Sequence, residues 1–214
     1  MFFRILRFLI VPIICLCCFR PISGWSQTSG PLSYENETMG IKLTGPEGWY
    51  ITPGEKAKTA VSKSIGDITS LESIKEATKK LGILVVFSQY PFGSPKEFNP
   101  NITLTTEQIP PEYSTVYKTA IDIANGNILS VKAMFKDAAI IKEPITITVD
   151  SKEGAHFIYE GTAVRGYSEI RIRCSAYIFI KDNITYTLSF TDKADNFKNN
   201  IKAFESSVNT FVFK

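Results

Sequence analysis

The chain is poor in the residues from which most catalytic and metal sites are built. Its 214 residues include one histidine, His156, and four cysteines, three of them packed into "CLCC" at 15–18. Zinc sites take three or four nitrogen and sulfur ligands. Outside that cluster the only donors of this kind are His156 and Cys174. A serine–histidine–acid triad would have to run through His156, yet the chain has no G-x-S-x-G elbow. It has no P-loop and no G-x-G-x-x-G, so nucleotide binding has no support. Paired acids such as Glu35 and Glu37 fall in a polar stretch, and Glu153 in a turn, neither of them a shielded acid–base pair. The expectation is a protein with no catalytic residue, no metal ligand and no cofactor.

Long apolar runs are missing beyond the N-terminus. There, "MFFRILRFLIVPIICLCCFR" sets Arg4 and Arg7 ahead of an uninterrupted apolar run from Phe8 to Phe19. A positive n-region followed by about 7–15 apolar residues is a secretory signal. The run falls short of the ~20 residues of a permanent span. Gly24 and Ser26 put small residues at −3 and −1 of a cut before Gln27, so residues 1–26 are expected to be a signal peptide; retention as an anchor is the competing outcome. None of Cys15, Cys17 and Cys18 follows a small residue, so the lipoprotein reading is weak.

Losing that segment, with three arginines and no acid, takes the formal charge from +3 to zero. A neutral chain gives no electrostatic reason to expect nucleic acid or an anionic membrane as partner. Cys174 would then be the sole cysteine, with no intramolecular disulfide available. The expected location is periplasmic or extracellular, with no stable membrane span after cleavage.

Residues 27–38 are polar and read as a flexible lead-in to one domain over 39–214. "MGIKLTGPEGWYI" has a hairpin signature: Ile41 and Leu43 alternate, "GPEG" turns and "WYI" resumes. A helix is expected from Thr69 to its stop at Gly82, with Leu71, Ile74 and Leu81 on one face. "ILVVFSQYPF" and "ITLTTEQI" read as strands, and "PPEYSTVYKTAIDIANGNILSVKAMF" as a helix broken or kinked at Asn125-Gly126-Asn127, with Val116 on its buried face. From Ala139 the pattern is an antiparallel meander broken at "KEG", "RGY" and "KDN". A final helix follows, with Asp192 as N-cap and Phe197, Ile201, Phe204 and Val208 on one stripe.

Several stretches in succession resemble the PsbP-like superfamily: the opening "MGIKLTGPEGWYI", the Asn-led strand "FNPNITLTTEQIP", and the closing "IRCSAYIFIKDNITYTLSFTDKADNFKNNIKAFESSVNTFVF". The resemblance covers about residues 38–213. It implies an α+β fold, an α/β/α sandwich around a central antiparallel sheet. It implies no catalytic residues, because members of the superfamily mostly bind or stabilise protein partners.

Cys174 and His156 read as packed core or edge residues. The candidate partner or ligand surface is Arg165, Arg171, Arg173 and Tyr177 on the polar phase of adjacent strands, with Tyr90, Phe92 and Phe98 from the loop "YPFGSPKEFNPN". An arginine stripe on a covered sheet places that strand near an edge, or else the resemblance misplaces it. Asn36, Asn101 and Asn183 each begin N-x-T, which matters only in a host that glycosylates its exports. The expected function is an exported non-catalytic protein that binds or stabilises a protein partner or envelope assembly. The alternative is a small-ligand or lipid binder with a pocket between sheet and helices; a hydrolase ranks third.

Overall fold

In the computed structural model, residues 32–59, 82–91, 94, 98–135, 137–165 and 168–214 are described. They form ten strands: β1 (Ser33–Asn36), β2 (Ile41–Thr44), β3 (Tyr50–Pro53), β4 (Gly82–Ser88), β5 (Asn101–Gln108), β6 (Ala139–Val149), β7 (Lys152–Arg165), β8 (Ser168–Lys181), β9 (Ile184–Lys193) and β10 (Val212–Phe213). Two helices of ten residues or more accompany them, α1 (Ala120–Met134) and α2 (Phe197–Val208). Residues 54–59 are also helical, and a 3-10 turn spans Pro111–Tyr113.

Seven strands make one antiparallel sheet in the order β3-β4-β5-β9-β8-β7-β6, and β1-β2-β10 make a second, smaller one. The large sheet is built on strand periodicity. Along β8, Ile170, Ile172, Cys174, Ala176 and Ile178 enter one apolar cluster, while Tyr177 and Phe179 enter the other. Successive side chains point to opposite faces, so the two clusters lie on opposite sides of the sheet. The first takes in Ala124 and Val131 of α1 and Phe135 just past its C-terminus. The second takes in Phe197, Phe204 and Val208 of α2 with Ile41, Leu43 and Phe211 around the small sheet. The fold is α+β, a sheet covered on both faces.

The helix expected from Thr69 lies outside the described residues, except for Gly82, which opens β4. Elsewhere several boundaries move. β2 and β3 are not a hairpin: β2 pairs with β1 and β10, β3 with β4. A turn signal reverses the chain without choosing its partner. Ser33–Asn36, read as lead-in, form β1, and Leu32 before it is buried.

The long helical reading from Pro110 shortens. α1 starts only at Ala120, where Thr119 and Asp122 form a capping box, and Val116 lies before it, 60% exposed. Gly126 does not break it; burial of Ala124, Ile128 and Val131 outweighs the roughly 1 kcal/mol a helical glycine costs. α2 begins after Asn196, and Asp192 ends up inside β9.

"KDN" sits at the junction of β8 and β9, and Gly166 and Tyr167 of "RGY" lie outside the described residues, but "KEG" opens β7. The reversal is Asp150–Ser151, at φ of 46° and 61°. Asp182–Asn183 repeat this double positive φ. A two-residue hairpin turn with both φ positive suits right-twisted strands and favours Asn-Gly. Serine carries a steric cost there of about 1 kcal/mol. The pair Asp150→Asn with Ser151→Gly is therefore expected to raise the melting midpoint by roughly 2–4 °C. An unchanged or lower midpoint in a calorimetric scan counts against the turn assignment.

Candidate functional site

The charged residues gather on the α2-side face of the sheet, because strand period and register put them there. On β7, Phe157 and Tyr159 enter the α1-side core, so His156, Ile158 and Glu160 face the other way. On β8 the same phase carries Arg171, Arg173, Ser175 and Tyr177. Register sets Glu160 opposite Arg173, and Arg173 opposite Asp192 of β9, making one row across three strands. A second row runs from His156 to Tyr177 to Leu188.

Glu160, almost wholly buried, accepts from both arginines: Arg171 Nε at 3.1 Å and Arg173 Nε at 2.5 Å, with Arg173 Nη2 also on it. Arg171 continues outward, donating through Nη1 to Asp137 at 2.6 Å. Asp137 also accepts from the Thr162 hydroxyl at 2.6 Å and its backbone N–H at 2.8 Å. These Thr162 bonds, ahead of Arg171, hold the Asp137 carboxyl below the usual carboxylate range. The Arg173 guanidinium lies 5.4 Å from the centre of the Phe197 ring. Arg171 stays 46% exposed and Arg173 22%.

The expected choice between an edge strand and a misplaced one therefore gives way to a third arrangement. β8 is internal, paired on both sides, and a buried carboxylate from β7 neutralises its arginines.

The second row is a closed polar group. His156 Nδ1 lies 3.2 Å from Lys142 Nζ and Nε2 2.9 Å from Ser175 Oγ, with the ring stacked 4.1 Å from Tyr177. An ammonium can only donate, so Nδ1 accepts and Nε2 carries the proton toward Ser175. That is the reverse of a serine nucleophile giving its proton to a base. Burial, then Lys142, lowers the His156 pKa to about 4. Tyr177 is itself half-buried, edge-on to Phe204, and burial pushes its hydroxyl up to about 12.

At the rim of the same sheet a cleft of about 320 Å³ opens between Gln89, Tyr90, Phe98 and Pro100 on one wall and Asp192, Lys193 and Asn196 on the other. Asn99 clamps Tyr90: the Tyr90 N–H donates to its side-chain oxygen and its amide donates to the Tyr90 carbonyl, both at 2.9 Å. Asp192 accepts from Asn200 at 2.7 Å and Asn196 at 2.9 Å, while burial raises its pKa. Because Asp192 is the register partner of Arg173, the cleft abuts the arginine row.

The residues predicted as a surface thus separate by role. Arg171 and Arg173 share one network through Glu160, and Tyr177, four residues beyond Arg173 on the same strand face, belongs to the His156 group. Tyr90 lines the cleft. Phe98 also lines it but is a core residue, buried at 5% exposure rather than displayed on a loop. Arg165 closes β7 opposite Ser168 through its backbone; its side chain and all of Phe92 lie outside the described residues. Cys174 is fully buried, as expected of its strand phase.

Sequence reasoning missed Lys142, Asp137, Glu160, Ser175 and Asp192. Both phases of "HFIYEG" carry bulky residues, so alternation alone did not single out Glu160. Among the described residues, no group of three or more His, Cys, Asp or Glu side chains is placed to hold a metal ion, and no helix is long and apolar enough to cross a membrane.

No family model and no curated protein matches the chain. Among solved structures, it is similar to cyanobacterial PsbP from Synechocystis sp. PCC 6803, with a TM-score of 0.53 and 14% identity over 91% of this chain and 98% of that one. It is also similar to LpqN, involved in cell envelope biogenesis of Mycobacterium tuberculosis, with a TM-score of 0.45 and 10% identity over 87% of this chain and 86% of that one. The fold is PsbP-like, as the succession of sequence stretches predicted.

Two groups, the buried His156 and the half-buried Glu107, set opposite pH trends. His156 ionises in the unfolded chain near 6.5 and in the fold near 4, so its contribution is present above 6.5 and is lost as pH falls through that window. Glu107 of β5 is pushed up to about 8 by burial, so its contribution is present below about 4.5 and is lost as pH rises through 8. In urea titrations His156→Gln is expected to lose about 1–2 kcal/mol less than the parent on acidification, after discounting for solvent screening. Glu107→Gln is expected to flatten the decline toward pH 8. Profiles parallel to the parent's would refute both assignments.

Proposed function

We propose that the protein is exported and non-catalytic, and that it binds or stabilises a protein partner or envelope assembly through the α2-side face of β6–β8. The carrying observation is the arrangement of that face. α2 packs along β9 and reaches β8 through Phe197 and Phe204. Beyond it lie half-exposed Arg171 with Asp137, Lys142 beside His156, and Ile145 at 42% exposure. Their polar groups are already paired with each other, which suits recognition by a protein surface more than chemistry on a substrate. The PsbP-like fold agrees with a binding role. The N-terminal pattern at 1–26, read as a signal peptide, supports export to the periplasm or beyond.

The test is crosslinking and affinity recovery from the native envelope fraction, comparing the parent with Arg171→Ala. That variant leaves Arg173 to neutralise Glu160, so the fold is retained. Recovery of one defined partner, reduced about tenfold by Arg171→Ala, is the expected result, because exposed arginines are frequent interface anchors. Equal recovery with both proteins, or none with either, contradicts the reading.

The rim cleft favours a second reading, a small-ligand binder. Its volume reaches the lower end of ligand pockets, about 300–1,000 Å³, and it is lined by Tyr90, Phe98 and the buried Asp192. This cleft is open at the sheet rim rather than enclosed between sheet and helices. Native mass spectrometry showing a small molecule that leaves on Asn196→Leu would turn the choice toward this reading.

A further inference from the structure

Among the described residues, β6 is the outer strand of the large sheet and pairs with β7 alone. An unpaired edge is a template for another strand, and proteins blunt it with charge, proline and bulges. The first half of β6 has all three: Lys142 and Glu143, Pro144, and register shifts between Ile140 and Lys142 and between Lys142 and Ile145. These devices stop at Pro144. From Ile145↔His156 to Val149↔Lys152 the register is unbroken. The segment reads Ile-Thr-Ile-Thr-Val, uncharged and β-branched throughout, with Ile145, Thr146 and Thr148 exposed. The Asp150–Ser151 turn then closes it. The opposite edge is different: β3 has four residues, ends in Pro53 and runs into the helical residues 54–59.

We propose that Ile145–Val149 is a self-association edge, through which two copies of this chain pair antiparallel about a dyad at Ile147. The segment is complementary to itself in that register. Ile145 meets Val149 and Ile147 meets Ile147 on one face, while Thr146 meets Thr148 on the other. Matched apolar and Thr–Thr cross-strand pairs stabilise antiparallel strands, and a two-fold axis requires this self-matching.

No charge lies inside the window. The like pair that the register would bring together, Lys142 and Lys152, lies outside it, beyond the bulge on one side and the turn on the other. Ile147 and Val149 already pack against the α2-side core, so the joined sheet would extend that apolar surface across the dyad. Five residues make a short junction, which predicts a weak, concentration-dependent dimer. The inference does not rest on the partner-binding role, and either can fail alone.

Sedimentation equilibrium of the purified protein over the micromolar to sub-millimolar range tests it. The parent is expected to pass from monomer to dimer. Thr146→Lys with Thr148→Lys, and Thr146→Glu with Thr148→Glu, place like charges opposite one another at exposed positions; each is expected to weaken self-association about tenfold or more. An equimolar mixture of the two variants is expected to restore it. A parent that stays monomeric throughout overturns the proposal on its own, without reference to any variant. Like-charged variants that associate as strongly as the parent, or a mixture that fails to recover dimer, overturn it equally.

Discussion

The register between β7, β8 and β9 is the constraint on which the molecule's arrangement depends. It sets Glu160, Arg173 and Asp192 in one row and leaves Ile172, Cys174 and Ala176 for the opposite core. A slip of one residue would exchange the two sets, driving arginines under α1 and isoleucines toward solvent. The pairing Arg171–Glu160–Arg173 therefore does more than neutralise charge. It makes the observed register one in which a buried carboxylate finds both its partners, and a one-residue slip would leave that carboxylate without them at a cost of several kcal/mol.

From that row follows the character of the exposed face. Asp137 extends the network outward through Arg171 and Thr162, and Asp192, across the ladder from Arg173, carries the row to the rim, where it holds Asn196 and Asn200 at the start of α2. His156 is held between an ammonium and a hydroxyl with its basic nitrogen occupied. A surface whose polar groups are already spoken for is rigid and specific in shape. That shape is what the proposed binding role calls for.

What the sequence disclosed was the local part of this. Strict alternation over Ile170–Ile180 identified β8, its two faces and the burial of Cys174, since period two admits little else. It also put Arg171, Arg173 and Tyr177 on one face. The other partners were hidden for separate reasons. Glu160 lies thirteen residues from Arg173 in the chain, and their pairing is a product of hairpin register. Phe98, between Glu97 and Asn99, looked like a displayed loop aromatic yet inserts into the α1-side core. The polar "SYEN" of β1 gave no strand signal because its strength comes from pairing with β2. Thr187 and Ser189, the polar phase of β9, are both buried; a sheet covered on two sides leaves little room for a wet phase. Asp192 had a plausible N-cap position, but α2 begins a turn later and the aspartate instead receives that helix's asparagines.

The most direct test of this account is a double-mutant cycle on Glu160→Gln and Arg173→Met, read as unfolding free energy in urea at neutral pH. If the row holds the register, the two changes are strongly non-additive, with a coupling energy of about 1–3 kcal/mol. Additivity within roughly 0.3–0.5 kcal/mol would mean that the charges merely tolerate an arrangement set elsewhere, and would contradict the central role given to them here.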